Sequence, residues 1–248
     1  MNYYIGNIYE YDVKSCAYNI LTKDIVKYDI VDYKKILEVK KNRFNKLKRN
    51  ILIGKIQRDF KETKNLFTKY YEQIKLDFME ENNIKEEEVL FKTKDSLIIT
   101  KVAEVLLING YEFILKNKYT HMFKLKIQHR NITIFYNNEV QNISIKGLSK
   151  FVDDDFGLTN QLINLINLYF NEKNLKSFFI NVKRLRNYIN NNFVDLINDN
   201  DKVIIDLDNV SIKTKKNNVP KHYLKQIRKE YFFVIYDSFA NQLFKIKD

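Results

Sequence analysis

Three observations predict an α+β fold for this 248-residue chain. First, residues 3–13, 89–100 and 122–146 are rich in Ile, Val, Tyr and Phe, the branched and aromatic composition of strands. Second, residues 33–81 and 158–198 carry apolar side chains three and four positions apart, the spacing of amphipathic helices. Third, breakers are scarce, with five Gly and one Pro, so long elements joined by polar, Asn-rich turns are expected. At 45% hydrophobic, the chain can bury one substantial core, or one core with a small appended domain.

Taken in order, Tyr3 to Val13 reads as a strand that ends at Asp12, with Ser15 as the cap of a short helix over Cys16 to Leu21. Asp12 then has two readings: a carboxylate offered to a metal that carries phosphates, or a strand-end or capping residue. From Tyr33 to Glu81 the pattern is helical, through Phe44, Leu47 and Ile51, then Phe67, Tyr70, Tyr71, Ile74 and Phe78. Lys46, Arg49 and Asn50 share one helical face, which either grips a triphosphate or forms a solvated stripe. Val89 to Thr100 reads as a hairpin with Asp95 in its turn, suited to a divalent ion and equally to an ordinary turn. Val102 to Ile108 reads as a short helix, Tyr111 to Leu115 as an extended run, and 122–146 as a meander.

The last third begins with Asp153 to Asp155 and Thr159 as caps of a helix through Leu158, Leu162, Leu165, Ile166 and Tyr169. A second helix covers roughly 175–198, residues 202–213 read as a strand, and an aromatic segment follows Pro220. Asp206 and Asp208 would share a strand face, as metal-holding Asp-x-Asp pairs do and as the wet side of a half-exposed strand also does.

Composition narrows the function classes. Forty-three Lys and Arg against 31 Asp and Glu leave a formal charge of +12, which points to a polyanionic partner, nucleic acid first, against a plain Lys-rich surface. No apolar run is long enough to span a bilayer, and the first residues lack signal-peptide sections. A single cysteine, Cys16, rules out an intrachain disulfide and a cysteine-based zinc site. These features predict a cytoplasmic protein, in the host cell if virus-encoded, with no membrane partner. His121, His129 and His222 lack the spacing of a metal or general-base site, so a hydrolase triad is not supported.

The order of the motifs carries more than any one of them. Asp12-Val-Lys-Ser15 is followed by Lys46-x-x-x-Asn50-x-x-x-Gly54, then Asp95-Ser96, then Lys118-Tyr119 and Ile145-Lys146-Gly147. In that order they resemble the palm of family B DNA polymerases of viruses and phages. That family has an Asp-x-x-Ser strand end, a Lys-x-x-x-Asn-Ser-x-Tyr-Gly helix, a Tyr-x-Asp-Thr-Asp-Ser hairpin, and Lys-x-Tyr and Lys-Gly elements. The present chain departs from the pattern at Thr93, where the first hairpin carboxylate falls, and at Ile51 and Ile53 in the helix motif. Lys118 and Tyr119 are adjacent, Tyr18 is displaced by one place, and the stretch before Asp12 leaves no room for the exonuclease that usually precedes a family B palm, so an exonuclease-free form is expected.

The resemblance implies a polymerase-like palm at 1–150 with a helical fingers-like insertion at about 33–83, and a helical, basic thumb-like region at 151–248. It implies nucleotidyl transfer on primed DNA with dNTPs, by two Mg²⁺ ions, or Mn²⁺ in their place, held roughly 4 Å apart by Asp12 and Asp95. Lys46 and Arg49 would stabilise the phosphates, Asn50 would support the nascent base pair, and Tyr18 would gate against ribose. Lys118, Tyr119 and Lys146 would grip the primer–template backbone. A protein partner would supply missing polymerase parts. Two alternatives stand beside this reading: a catalytically inactive nucleic-acid-binding protein of a viral replication or virion assembly, and an unrelated α+β interaction protein.

Overall fold

The computed structural model describes residues 3–127, 130–140, 142–147, 158–191, 204–207, 210–213 and 221–247. The fold is α+β. Its strands are β1 (Tyr3–Val13), β2 (Val89–Lys92), β3 (Ser96–Ile99), β4 (Leu107–Ile108), β5 (Tyr111–Ile127), β6 (Arg130–Asn137) and β7 (Asn142–Lys146). They form a seven-stranded sheet in the order β2-β3-β1-β5-β6-β7, with β4 on β5. A separate hairpin pairs β8 (Ile204–Leu207) with β9 (Val210–Lys213). The single strand expected over 202–213 is therefore two. The helices are α1 (Cys16–Asn19), α2 (Tyr33–Lys41), α3 (Lys46–Asp59), α4 (Lys61–Glu81), α5 (Leu158–Asn171), α6 (Leu175–Asn191) and α7 (Lys221–Lys247).

The chain divides into two compact units, Gly6–Tyr119 and Thr120–Asp248 with Met1–Ile5. In the first, helices cover the sheet around a core that includes Tyr11, Ile20, Phe67, Phe78, Leu97, Ile99 and Phe113. Phe78 stacks on Phe113 with ring centroids 4.0 Å apart, tying α4 to β5. The 33–81 helical stretch is cut twice. Asp32 accepts from Lys34 N–H at the head of α2, a new cap starts α3 where Asn45 accepts from Lys48 N–H, and α4 follows α3 across the extended backbone of Phe60, which makes no side-chain capping bond.

Two local expectations are corrected in this unit. Ser15 does not cap α1: its backbone is left-handed (φ 53°), its side chain makes no capping bond, and after one turn the helix widens into a π-turn over Ile20–Asp24. The helix expected at 102–108 is absent. Its amides are taken by side chains from elsewhere, Tyr11 Oη accepting from Ala103 N–H and Asn82 Oδ1 from Glu104 and Val105 N–H, so no i to i−4 ladder starts. The helix expected from the Phe44, Leu47, Ile51 spacing is present as α3, but its buried face is another one: Phe44, just before it, and Leu47 and Ile51 are exposed while Arg49, Ile53 and Ile56 are buried.

The second unit packs its part of the sheet and α5, α6 and α7 around Phe123, Ile134, Leu162, Phe178, Phe232 and Phe239, among others. Arg186 on α6 and Asp237 on α7 form a two-pronged ion pair at 2.7 and 2.8 Å, with the guanidinium also over the Phe233 ring. The aromatic segment after Pro220 is one 27-residue helix. The proposed caps Asp153 to Asp155, the side chain of Thr159, His129 and Asp208 lie outside the described residues. Of the Asp-x-Asp pair, only the backbone of Asp206 is described, opposite Ser211.

Candidate functional site

The first unit contains a cleft of about 410 Å³ lined by Asp12 to Tyr18, Lys46, Arg49, Asn50, Ile53, Tyr71, Asp95 and Ile114. Three segments build it. β1 delivers Asp12 from the centre of the sheet, where strand order places it between β3 and β5. The β2–β3 turn delivers Asp95: Asp12 lies opposite Ser96 in register, and Val13 N–H donates to the Asp95 carbonyl at 2.8 Å. α3 delivers Lys46, Arg49 and Asn50 from one face. Six of the predicted residues, Asp12, Asp95, Lys46, Arg49, Asn50 and Tyr18, thus line one cleft.

The turn that carries Asp95 is stapled from both sides. Thr93 N–H donates to Ser96 C=O at 3.0 Å, Ser96 N–H donates to Thr93 Oγ1 at 3.0 Å, and the two hydroxyls lie 2.6 Å apart. From beneath, the buried Lys75 of α4 donates to the Thr93 carbonyl at 2.8 Å and to Glu72 at 2.7 Å. Thr93, standing where the resemblance expected a carboxylate, therefore shapes the turn. Lys92 is drawn away from it to Glu86.

The electrostatics of the cleft are divided. Burial raises the Asp12 carboxyl above its usual range and the neighbouring Asp95 charge raises it further, against the opposing pull of Lys116. Lys116 Nζ stands 3.6 Å from Asp12 and 3.9 Å from Glu10. Burial, then Asp95 and Asp12, push the Cys16 thiol up to about 12, so it stays protonated and is no nucleophile. On the cationic side Arg49 is only 8% exposed, and Lys46 and Asn50 are exposed. The Arg49 guanidinium donates to Ser15 Oγ and the Arg43 carbonyl and lies over the Tyr18 ring, while its Nε is buried without a hydrogen-bond partner.

The remaining predicted residues are placed differently. Lys118 is exposed on β5 in the first unit. Tyr119 is buried, and its hydroxyl donates to Glu10 at 2.7 Å, beside Asn117, which donates to the same oxygen. Lys146 is half-buried on β7 in the second unit, opposite Thr133. Sequence reasoning missed Glu10, Lys75, Lys116 and Tyr71. Glu10 was findable, because two places before Asp12 on a strand means the same face; so was Lys75, four places after Tyr71 on a helix. Lys116 needed the pairing of β1 with β5, which no local signal encodes.

Among the described residues no group of three or more His, Cys, Asp or Glu could hold a metal, and no helix is long and apolar enough to cross a membrane. Fold and cleft together define an α+β protein with a paired-carboxylate, cation-walled site. The chain belongs to the family described as Bacteriophage PBS1 gene 130 protein, which it matches over residues 2–181, a span that includes every residue of the cleft. No curated protein matches the chain.

Proposed function

We propose that the cleft of this phage-family protein is a nucleotidyl-transfer site of the polymerase palm type, working on primed nucleic acid with dNTPs. The observation that carries the reading is that Asp12, Asp95, Lys46, Arg49, Asn50 and Tyr18, drawn from three segments of the sequence, line one cleft. The donor set fits Mg²⁺ or Mn²⁺: two carboxylates suffice for an ion that fills its shell with waters and substrate phosphates. Asp12 also holds its charge at a cost that a cation would relieve. Bound there, such ions would lower the pKa of a primer 3′-hydroxyl and offset charge on the triphosphate.

The protein's own residues supply the rest. Arg49, buried and with an unused Nε, offers a fixed donor to phosphate oxygens, and Lys46 adds a mobile charge at the rim. Asp12 and Asp95 orient the attack in which the 3′-oxygen bonds to the α-phosphorus and pyrophosphate leaves. The Tyr18 ring beneath Arg49 closes one wall, where a sugar would lie. Lys118 and Lys146 remain proposed backbone contacts, whereas Tyr119 serves from inside by holding Glu10.

One observation favours a second reading. Lys116 already stands within 3.6 Å of Asp12 and 3.9 Å of Glu10 as an internal counter-ion, which offsets the charge a metal would otherwise meet and so favours a nucleic-acid-binding protein without catalysis. Primer extension separates the two. With Mg²⁺ or Mn²⁺ and four dNTPs, the polymerase reading expects extension by wild type and only background from Asp12→Ala and Asp95→Ala. No extension by a folded wild type that still binds primed DNA in a salt-sensitive way leaves the binding protein.

A further inference from the structure

In the second unit, Ser238, Asn241, Gln242 and Lys245 stand at i, i+3, i+4 and i+7 along α7 and so share a face. A different face of the helix carries Phe232, Ile235, Phe239 and Leu243, all buried, and this fixes the rotation that leaves the polar stripe outward. Lys124 and Lys126, two residues apart on β5, likewise share a face of their strand. Stripe and strand line a cleft of about 310 Å³, and Gln242 Nε2 pins it by donating to the Lys124 carbonyl at 2.9 Å.

The lining contains three lysines and no carboxylate. Among the described residues none of the three ammonium groups has a carboxylate within ion-pair distance. Some lysines elsewhere on this chain are neutralised locally, as Lys14 is by Glu112 and the half-buried Lys92 by Glu86. Three uncompensated charges in one cleft repel each other, and a phosphate-bearing ligand removes that cost while releasing its own counterions. Hydroxyl and amide donors on the helix suit phosphate and sugar oxygens, contacts that carry no sequence information.

We infer that this cleft binds the sugar–phosphate backbone of a single nucleic-acid strand, at a site separate from the carboxylate cleft and independent of catalysis there. The chain's +12 charge gives it long-range attraction for a polyanion.

The test is binding of the full chain to a fluorescent oligo-dT across a salt series, without divalent ions or dNTPs, so the outcome does not depend on polymerase activity. The triple variant Lys124→Gln, Lys126→Gln, Lys245→Gln makes the slope of log K against log salt shallower by about 2, and weakens binding by about tenfold or more. The triple Arg variant retains the wild-type slope. A control of equal charge loss, Lys61→Gln, Lys64→Gln, Lys69→Gln on exposed positions of α4, changes the slope by much less. If the triple Gln variant melts early, each single Gln variant still lowers the slope by about 0.7. Wild-type binding by the folded Gln variants, or an equal loss in the α4 control, overturns the inference.

Discussion

At the scale of single residues, the charge of Asp12 works against folding. Its carboxyl is raised above the ordinary value of 3.8 by burial and by Asp95. A carboxyl raised in the folded state binds its proton more tightly there than in the unfolded chain. Stability is therefore fully present below 3.8 and falls as the pH rises through the folded value. Asp12→Asn removes this term. It is predicted to melt above wild type at pH 7, with the gap closing in acid, as thermal denaturation across pH will measure. Lys75 has the opposite character. Its bond to the Thr93 carbonyl supports the turn that presents Asp95, so Lys75→Met should cost about 1–2 kcal/mol in urea unfolding through the lost buried hydrogen bond. Glu72, largely exposed, returns to water at little expense.

At the scale of elements, the two glycines of the motif pattern behave differently. Gly54 sits on the exposed side of α3 with nothing near the position of an added Cβ. Gly54→Ala is predicted to stabilise the protein by about 0.5–1 kcal/mol. Gly147, just after β7, has φ +91°, and an added Cβ would fall 2.2 Å from the Asn131 carbonyl oxygen of β6. Gly147→Ala should destabilise by about 1–3 kcal/mol. Chemical denaturation of the two variants side by side reads both signs.

Elements whose signal is local were legible in the sequence: β1 with Asp12 near its end, the β2–β3 hairpin with Asp95 in its turn, and α5 on its apolar stripe. Two of the misreadings have causes that lie outside the local pattern. Asn82 and Tyr11 take the amides that a helix at 102–108 would have needed. Arg49, a cation, occupies the buried face of α3, while the apolar Phe44, Leu47 and Ile51 lie outside. Hydrophobic spacing finds a helix but chooses its inner face wrongly when that inner face lines a polar cleft.

At the scale of the whole molecule, the order of short motifs was worth more than their individual chemistry. It named six of the cleft's lining residues, because chain order decides which strands can neighbour one another in a sheet. It did not reveal Lys116, which meets Asp12 only through the pairing of β1 with β5, nor the lysine-lined cleft of the second unit, where β5 and α7 are far apart in sequence. Part of the positive charge gathers in the lysine-lined cleft with no carboxylate in its lining, whereas the first cleft sets three cations against two carboxylates.

The central claim is that Asp12 and Asp95 hold a divalent ion beside a nucleotide gripped by Lys46 and Arg49. Mn²⁺ titration followed by electron paramagnetic resonance tests it without requiring turnover. Wild type is predicted to bind Mn²⁺, more tightly with a dNTP present. Asp12→Asn and Asp95→Asn are predicted to lose that binding while remaining folded, and Arg49→Met to lose the enhancement by dNTP. Equal Mn²⁺ binding by wild type and both Asn variants, or none by wild type with a dNTP at millimolar concentration, would contradict the assignment of the cleft.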